Sequence, residues 1–262
     1  MATAYERVRI ARGAKRPTGI DYLQNVFHGF FELHGDRRYA DDPAIVGGLA
    51  YLGATPVTVI AIEKGHTAKE RVQRGFGAPQ PEGYRKALRL MREAEKFHRP
   101  VVCFVDTSGA GCNVGAEERG QGEAIAECLT TMSALQTPVL SILIGEGGSG
   151  GALALAAGDR VWMLENAVYS VISPEGCATI LWKDAAKAEQ AAEELKLTAD
   201  DALALGVVES VIPEAGLGEP EFYDALSPRL MREVDALTEM PIQELLSARY
   251  ARFRRFGGEA QA

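Results

Sequence analysis

Hydrophobic and polar positions change their spacing along the chain in the way expected of strands that alternate with helices. Short apolar runs bounded by Gly, Pro or polar residues predict strands, and apolar residues three or four positions apart predict helices. Strands are predicted over residues 45–52, 56–62, 101–106, 139–144, 160–164, 168–172 and 207–212. Helices are predicted over residues 21–34, 81–98, 116–135, 152–157, 177–195 and 198–205. This alternation predicts an α/β fold.

The chain shows no linker rich in Pro, Gly or Ser, so we expect one domain over residues 1–262. Residues 1–18 carry five basic side chains and no long apolar run. They are expected to form a solvated arm or a partner contact. Residues 222–256 are expected to be helical with a break at Pro241, and the polar residues 63–82 are predicted to form a loop.

Composition narrows the class of protein. Lys and Arg total 28 against 36 Asp and Glu, a net charge of −8, whereas general nucleic-acid binders are usually basic. No apolar run is long enough to span a membrane, and the N-terminus lacks the apolar core of a secretory signal. We therefore expect a cytoplasmic protein with neither a membrane nor a nucleic acid as its main partner. The four cysteines lack the spacing of zinc ligands, so they are expected to be unpaired, buried and metal-free: Cys103, Cys112, Cys128 and Cys177.

Glycine is over-represented, with 28 in 262 residues, and part of the surplus lies in two loops after strands. These are residues 107–115 and residues 145–151, and the second holds five glycines in seven residues. Ordering five glycines costs about 2.5–5 kcal/mol relative to alanine, so turn geometry alone does not account for them. We interpret the surplus as room for an anion to approach backbone N–H groups at a helix N-terminus. Tight helix–strand packing is the alternative.

Three known patterns match residues 145–151 by letter. Residues 145–150 read G-x-G-x-x-G, but the segment that follows is too short for the usual parallel crossover, which argues against a dinucleotide site. Ser149 lies in G-x-S-x-G, yet all four histidines precede it, whereas the hydrolase fold places its histidine after the serine. No Lys-Ser or Lys-Thr follows, which excludes a P-loop. An anion site or an oxyanion hole remains.

The loops and their flanks also carry a longer and more specific resemblance. The stretches are HGDRRYADDPAIVGGLAYL (34–52), FGAPQPEGYRKALRLM (76–91), GAEERGQGEAIA (115–126), GEGGSGGALA (145–154), YSVISPEGCATILWK (169–183) and ARYARF (248–253). They resemble the α subunits of bacterial acetyl-CoA carboxylase carboxyltransferase over roughly residues 16–256. The chain is similar to the shorter members of that family. The resemblance implies a crotonase-like fold, a spiral of ββα units.

The resemblance also implies an activity and its partners. It implies an α2β2 assembly with a zinc-containing β subunit of related fold, and an active site between α and β. The implied reaction moves a carboxyl group from carboxybiotin, held on a separate biotin carboxyl carrier protein, to acetyl-CoA. The product is malonyl-CoA, in the first step of fatty acid synthesis. The resemblance further implies that ATP is used by the biotin carboxylase component.

Site residues follow from the same motif match. The oxyanion donors are expected to be the amides of Gly150 and Gly151. The other implied substrate-binding residues are Gly109, Ala110, Arg119, Gly147 and Gly148. Arg119 is expected to face the transferring carboxylate or to pair with a neighbouring acid, namely Glu117, Glu118 or Glu123.

For each of the weaker candidates for a role at the site, a functional and a structural interpretation remain open. Four basic residues either meet CoA phosphates or form a solvated loop: Lys64, Lys69, Arg71 and Arg74. Glu146 is a candidate base or a brace for its loop, and Glu175 a cap or partner contact. Trp162 and Trp182 are expected in the core or at an interface.

One loop departs from the family pattern. Residues 108–114 read SGAGCNV, where the family usually has GAYPGV, so the acyl-CoA specificity and the role of Cys112 stay open. A carboxyltransferase for another acyl-CoA therefore remains an alternative. A crotonase-type hydratase or isomerase and a non-enzymatic assembly subunit are the other two.

Overall fold

The computed structural model describes residues 2–257 and contains eight strands over that range. They are β1 (His28–Glu32), β2 (Ile45–Leu52), β3 (Thr55–Ile62), β4 (Val101–Thr107), β5 (Val139–Gly148), β6 (Arg160–Leu164), β7 (Val168–Ser170) and β8 (Ser210–Ile212). The first helices are α1 (Ala4–Ala11), α2 (Gly19–Val26), α3 (Ala68–Gln73), α4 (Pro81–Lys96), α5 (Val114–Glu118) and α6 (Gln121–Ala134). The later ones are α7 (Ser149–Leu153), α8 (Pro174–Trp182), α9 (Ala188–Glu194), α10 (Ala199–Ala204), α11 (Pro220–Glu239) and α12 (Ile242–Arg254).

The strands form one mixed sheet in the order β1-β2-β3-β4-β5-β6-β8, and β7 pairs with the C-terminal part of β5. β1 to β3 are antiparallel, and the pairs from β3 onward are parallel. The strands predicted over residues 45–52 and 56–62 are confirmed, and they form an antiparallel hairpin. Its turn begins at Gly53, whose φ of 59° suits a two-residue hairpin turn.

The core lies on the central strands. Every residue of β4 is buried, and so are the first seven of β5, as expected for parallel strands covered on both faces. On β4, the ring of Phe104 stacks on that of Tyr22 from α2, with centroids 5.1 Å apart. Tyr22 also meets Phe222 and Tyr223 of α11 edge to face. The central strands therefore set the positions of the loops that follow them.

The helix predicted over residues 21–34 is wrong in its second half. The helix ends at Val26, and residues 28–32 form β1, which pairs antiparallel with β2. Gly48 on β2 permits this pairing, because a Cβ there would lie 2.0 Å from the carbonyl oxygen of Phe31. The spacing of apolar residues does not predict that close approach of two strands.

Two long predicted helices are each broken at a residue with positive φ. The predicted helix 116–135 is two helices that meet at Gly120, where φ is 80°. The predicted helix 177–195 ends at Trp182, with Lys183 at φ 58°, and resumes as α9 after a short 3₁₀ turn. The predicted loop 63–82 contains α3 and a 3₁₀ turn at Gly75–Gly77. The strand predicted over 139–144 continues to Gly148.

The connection after β5 shows that one sequence argument was wrong. β5 and β6 are parallel although only residues 149–159 join them, so the length of the crossover did not exclude a dinucleotide site. The order of the strands is the better argument. β3 to β6 follow one another in chain order, and the sheet therefore has no topological switch point at β5, where such sites form.

The N-terminal residues do not form the solvated arm expected of them. Thr3 and Glu6 form a capping box at the start of α1, and Val8 is buried. Arg7 pairs with Asp200, and the Nε of Arg16 donates to the carbonyl oxygen of Ile144 at 2.6 Å. The basic residues of this segment thus attach it to the sheet.

The C-terminal residues form two helices, α11 and α12, and the predicted break at Pro241 is confirmed. α11 buries Leu226, Leu230 and Val234 on one side, and α12 buries Arg249 and Arg252. Within residues 2–257, no helix combines the length and apolarity that a membrane crossing requires.

Candidate active site

The two glycine-rich loops lie together at the C-terminal ends of the parallel strands β4 and β5. Thr107 pairs with Gly147 across the two strands. A Cβ on Gly148 would lie 2.3 Å from the carbonyl carbon of Ser108, and one on Gly151 would lie 2.5 Å from the amide nitrogen of Ala110. The two loops are therefore in direct contact.

Four of the five glycines in 145–151 are required by the packing of the chain on itself. A Cβ on Gly145 would lie 2.3 Å from the carboxylate of Asp106, and one on Gly147 would lie 2.2 Å from Leu143. Gly148 and Gly151 press on the 108–110 backbone as described. At these four positions packing alone accounts for glycine, and contact of their backbone with a ligand stays a prediction.

Gly150 is the exception in this turn. A Cβ there would meet Ile125 at 3.7 Å, an ordinary contact, and the residue is partly exposed. It is the second residue of α7, so its N–H has no acceptor within the helix. The turn presents this amide at the surface of the site.

Two features fix the conformation of the turn: the backbone at Ser149 and a hydrogen bond from Tyr84. Ser149, at the start of α7, has φ 53° and is exposed, so the chain reverses sharply between strand and helix. The hydroxyl of Tyr84, a buried residue of α4, donates to the carbonyl oxygen of Gly151 at 3.2 Å. Burial raises the pKa of Tyr84 far above its usual value, so the hydroxyl stays protonated and keeps donating.

Two clefts meet at this turn. The glycine cleft is lined by residues 146–149 and 170–174, with Val8 and Arg12 from the N-terminal segment. The charged cleft shares Arg12, Ser108 and Glu146 with it. It adds Arg16, Thr18, Lys64, Arg71, Phe76 and Asp106. A shallow apolar groove beside Gly150 is bounded by Leu153, Tyr169 and Val171.

A sequence profile of the family described as acetyl co-enzyme A carboxylase carboxyltransferase-like matches residues 1–257. The chain is 58 % identical over 255 residues to the acetyl-coenzyme A carboxylase carboxyl transferase subunit alpha of Ruminiclostridium cellulolyticum, covering 97 % of this chain and 98 % of that one. The chain belongs to the acetyl-CoA carboxylase carboxyltransferase-like family. A Natranaerobius thermophilus protein named carboxyl transferase subunits beta/alpha is 53 % identical over 259 residues, which are 97 % of this chain and 43 % of that protein.

Solved structures share the fold of this carboxyltransferase-like chain at low sequence identity. A Pseudomonas malonate decarboxylase hetero-tetramer superposes with a TM-score of 0.73 at 18 % identity, covering 91 % of this chain and 98 % of that one. Transcarboxylase 12S gives 0.67 at 19 % identity, over 84 % of this chain and 42 % of that one. The predicted crotonase-like α/β fold is confirmed.

Arg119 of the carboxyltransferase-like chain has a partner that the sequence did not suggest. Its Nε and a terminal nitrogen bind both carboxylate oxygens of Glu82 on α4, at 3.2 and 3.1 Å, rather than Glu117, Glu118 or Glu123. The guanidinium also lies 4.9 Å from the ring centroid of Tyr39. Its role toward a transferring carboxylate stays a prediction, and the observed fork braces α4 against the 107–120 region.

Glu146 is clamped rather than free. Its carboxylate accepts from Arg12 at 2.8 Å and from Lys64 at 3.1 Å, and its N–H donates to Asp106 at 2.8 Å. Burial alone would raise the pKa of Glu146, but Lys64 and Arg12 hold it below its ordinary value. An ionised carboxylate with both oxygens engaged fits the brace interpretation and not a general base. Glu175 likewise binds Arg12, at 2.7 Å.

The four basic candidates of residues 63–75 are not equivalent. Lys64 is 2.6 Å from Asp106 and mostly buried, so its ammonium is already paired. Arg71 donates to the carbonyl oxygens of Gly65 and Ala14, and Arg74 to that of Pro43. Lys69 is exposed. Contact of this segment with CoA phosphates stays a prediction.

The remaining sequence candidates divide between core and surface. Trp162 is buried in the main core, and the guanidinium of Arg229 lies 5.0 Å from its ring centroid. Trp182 is partly buried against the Cys177 cluster. Three cysteines are buried as expected, and Cys112 is exposed. Among residues 2–257, no three His, Cys, Asp or Glu side chains are grouped as metal ligands would be.

Sequence reasoning missed three side chains that shape the site: Arg12, Tyr84 and Asp106. Asp106 had a usable signal, because it ends the buried run VVCFVD and the carboxyl end of a parallel strand is where functional side chains collect. Arg12 had none, since its partners Glu146 and Glu175 are more than 130 residues away in sequence.

Proposed function

We propose that this chain is the α half of a carboxyltransferase that moves a carboxyl group from carboxybiotin, held on a carrier protein, to acetyl-CoA and yields malonyl-CoA. Family membership over residues 1–257 supports the reaction class. The single structural observation that carries the proposal is the turn at Gly150. The Gly150 amide has no acceptor within its helix and lies at the groove of Leu153, Tyr169 and Val171, whose described lining holds no carboxylate, His, Lys or Cys side chain.

The chemistry that suits such a turn is stabilisation of charge as it forms. When the N–C bond of carboxybiotin breaks, negative charge develops on the ureido oxygen. The resulting anion can take a proton from the acetyl methyl, and the enolate then attacks the released carboxyl carbon. The N–H groups of Gly150 and Gly151 are the proposed donors to the ureido oxygen, each worth about 2.7–4 kcal/mol of barrier.

The neighbouring residues then have binding roles. The backbone of Gly109 and Ala110 packs against the turn, where the absent side chains of Gly148 and Gly151 let the two loops touch, and we propose that these residues and Gly147 contact the substrates. The apolar groove of Leu153, Tyr169 and Val171 offers a surface for the biotin ring system. Holding the two reactants in one orientation supplies further rate enhancement.

The proposed partner completes the site. The relative named subunits beta/alpha joins both parts in one chain, which supports a β subunit as partner of this one. We propose an α2β2 complex in which the β subunit binds zinc and receives most of the CoA thioester. The biotin carboxyl carrier protein would deliver carboxybiotin, the biotin carboxylase component would use ATP, and the complex would act in the cytoplasm.

Transfer to another acyl-CoA is the second candidate, and one observation favours keeping it. In residues 108–114, the loop that differs from the family pattern, Ser108 lines both clefts and Cys112 is exposed. A hydratase or isomerase is less well supported, because it needs a free carboxylate and Glu146 is bound by two cations.

The test is carboxyl exchange between malonyl-CoA and free biotin by the chain co-expressed with candidate β subunits. We expect exchange by the complex and none by either subunit alone. Parallel assays with methylmalonyl-CoA measure acyl specificity. Exchange by the isolated chain, or failure to bind any β subunit, would overturn the proposal. Hydration of an enoyl-CoA by the isolated chain would favour the alternative enzyme class.

A further inference from the structure

Arg12 links the C-terminal end of β5 to helix α8. The residue caps the C-terminus of α1, in the segment expected to be a solvated arm. Its Nε donates to Glu146, which precedes the turn, and a terminal nitrogen donates to Glu175 in the first turn of α8. Residues 146–149 and 170–174 line the cleft that Arg12 also lines. Strand pairing fixes β7 beside β5 only as far as Ser170, and Arg12 adds a side-chain link from β5 to the helix that follows.

Glu146 is fixed from behind by a second pair of groups. Asp106 accepts the Glu146 N–H at 2.8 Å, and Lys64 lies between the two carboxylates, 2.6 Å from Asp106 and 3.1 Å from Glu146. The backbone and the side chain of Glu146 are thus both held. Because Gly147 and Gly148 follow directly, the direction in which the chain enters the turn depends on these contacts.

The same contacts decide the charge beside the turn. A buried carboxylate next to a forming anion would repel it. Arg12 and Lys64 neutralise Glu146, while Asp106 competes for Lys64 and Glu175 competes for Arg12. Tyr5 donates to Glu175 at 3.1 Å, and Arg16 and Arg71 line the adjoining charged cleft. Without Arg12, Lys64 would be the remaining cation in contact with the carboxylates of Glu146 and Asp106.

We propose that Arg12 is a positioning residue of the carboxyl-transfer site, which acts through Glu146 and Glu175 to orient the glycine turn and to cancel the charge beside it. This inference rests on the proposed function. It makes the N-terminal segment part of the active-site architecture although no residue of that segment belongs to a glycine loop.

The test compares Arg12→Met with wild type in the complex with the β subunit. We expect kcat for exchange to fall about 10-fold, a change typical of one coupled contact, while the KM for malonyl-CoA stays the same. Arg12→Lys should recover part of kcat. Arg9→Met is the matched control, because Arg9 is exposed on the same helix, and its kcat should equal that of wild type.

Two further readouts separate positioning from loss of structure. In Arg12→Met the Glu146 pKa rises, so kcat should increase as the pH is lowered through it, a limb that wild type lacks. Glu146→Gln placed in the Arg12→Met background should raise kcat, because the unbalanced charge is removed. An unchanged kcat in Arg12→Met, or a double variant worse than the single one, would overturn the inference. A wild-type complex without exchange would overturn the proposed function itself.

Discussion

The two ends of strand β5 both pair their charged groups, but they differ in whether the nearby backbone groups also have partners. At the N-terminal end, Arg249 is 1 % exposed and binds both oxygens of Asp159, at 2.7 and 2.8 Å. Its other N–H groups donate to carbonyl oxygens of the 132–137 segment. Asp159 also accepts the N–H of Val139, the first residue of β5. Every group in this cluster has a partner inside the fold.

At the C-terminal end, the charges are also paired but the backbone is not closed. Lys64 and Arg12 neutralise Glu146, and the chain then turns through Ser149 into a helix of five residues. The Gly150 amide has no intrahelical acceptor and faces a cleft. The charged side chains around this amide are paired, whereas the Gly150 N–H itself remains available to a ligand.

This comparison separates a structural role from a role at the site, which the motif resemblance alone does not distinguish. The segments ARYARF and GEGGSGGALA both support the family assignment. Only the geometry shows that Arg249 and Arg252 bind Asp159 and Glu209 beside the sheet, whereas the glycine segment forms the turn of the proposed site. If this division is correct, changes at one end of β5 should alter stability and changes at the other should alter turnover.

The largest expected effect on stability is that of Arg249→Met. It leaves Asp159 buried without its cation, which costs about 3–5 kcal/mol in free energy of unfolding. Chemical denaturation of the chain measures this change, and kcat per folded complex should be retained. Arg254→Met on the exposed side of α12 is the control. An unchanged denaturation midpoint for Arg249→Met would remove the structural half of the comparison.

A smaller stability effect should separate two glycines of the same turn. Gly148→Ala forces a Cβ to 2.3 Å from the Ser108 backbone, and such overpacking costs about 1–3 kcal/mol. Gly150→Ala meets only Ile125 at 3.7 Å and should raise stability by about 0.5–1 kcal/mol through helix propensity. Thermal unfolding of both variants tests this. Equal Tm changes would mean that the two positions are not distinct.

A third expected effect on stability, at Lys64, depends on pH. Glu146 has a pKa lowered from 4.5, so its stabilising contribution is present above pH 4.5 and is lost as the pH falls through the folded pKa. Lys64 has a pKa raised from 10.5, so its contribution is present below pH 10.5 and is lost as the pH rises further.

Lys64→Met should therefore lower stability by about 1–2 kcal/mol, with the largest difference from wild type between pH 4.5 and pH 10.5. Denaturant unfolding across this range measures it. Lys69→Met, at an exposed position of α3, should show no such dependence. A difference that persists unchanged at low pH would show that packing and not charge is lost.

Much of the fold followed from local patterns, and its errors share a physical cause. The apolar runs of β4 and β5 and the break at Pro241 were readable because each depends on neighbouring residues. β1 was missed because its pairing depends on the missing side chain of Gly48, and the break at Gly120 because one glycine does not by itself signal positive φ. Strand register and close backbone approach are not local properties.

The site was predicted in the same uneven way. The glycine loops were recognised, yet the packing need at Gly145, Gly147 and Gly148 was not, because their missing side chains make room for distant parts of the chain. Arg12 and Tyr84 reach the turn from distant elements. Pairing between positions far apart in sequence does not show in a single sequence.

The most direct test of the division along β5 is the turnover of Gly150→Val in the complex with the β subunit. The added branch would occupy the position proposed for the ureido oxygen. We predict a Tm and a complex mass equal to those of wild type, with kcat for carboxyl exchange lowered about 100-fold or more. A Gly150→Val complex that exchanges at the wild-type rate would contradict the assignment of this amide to the reaction.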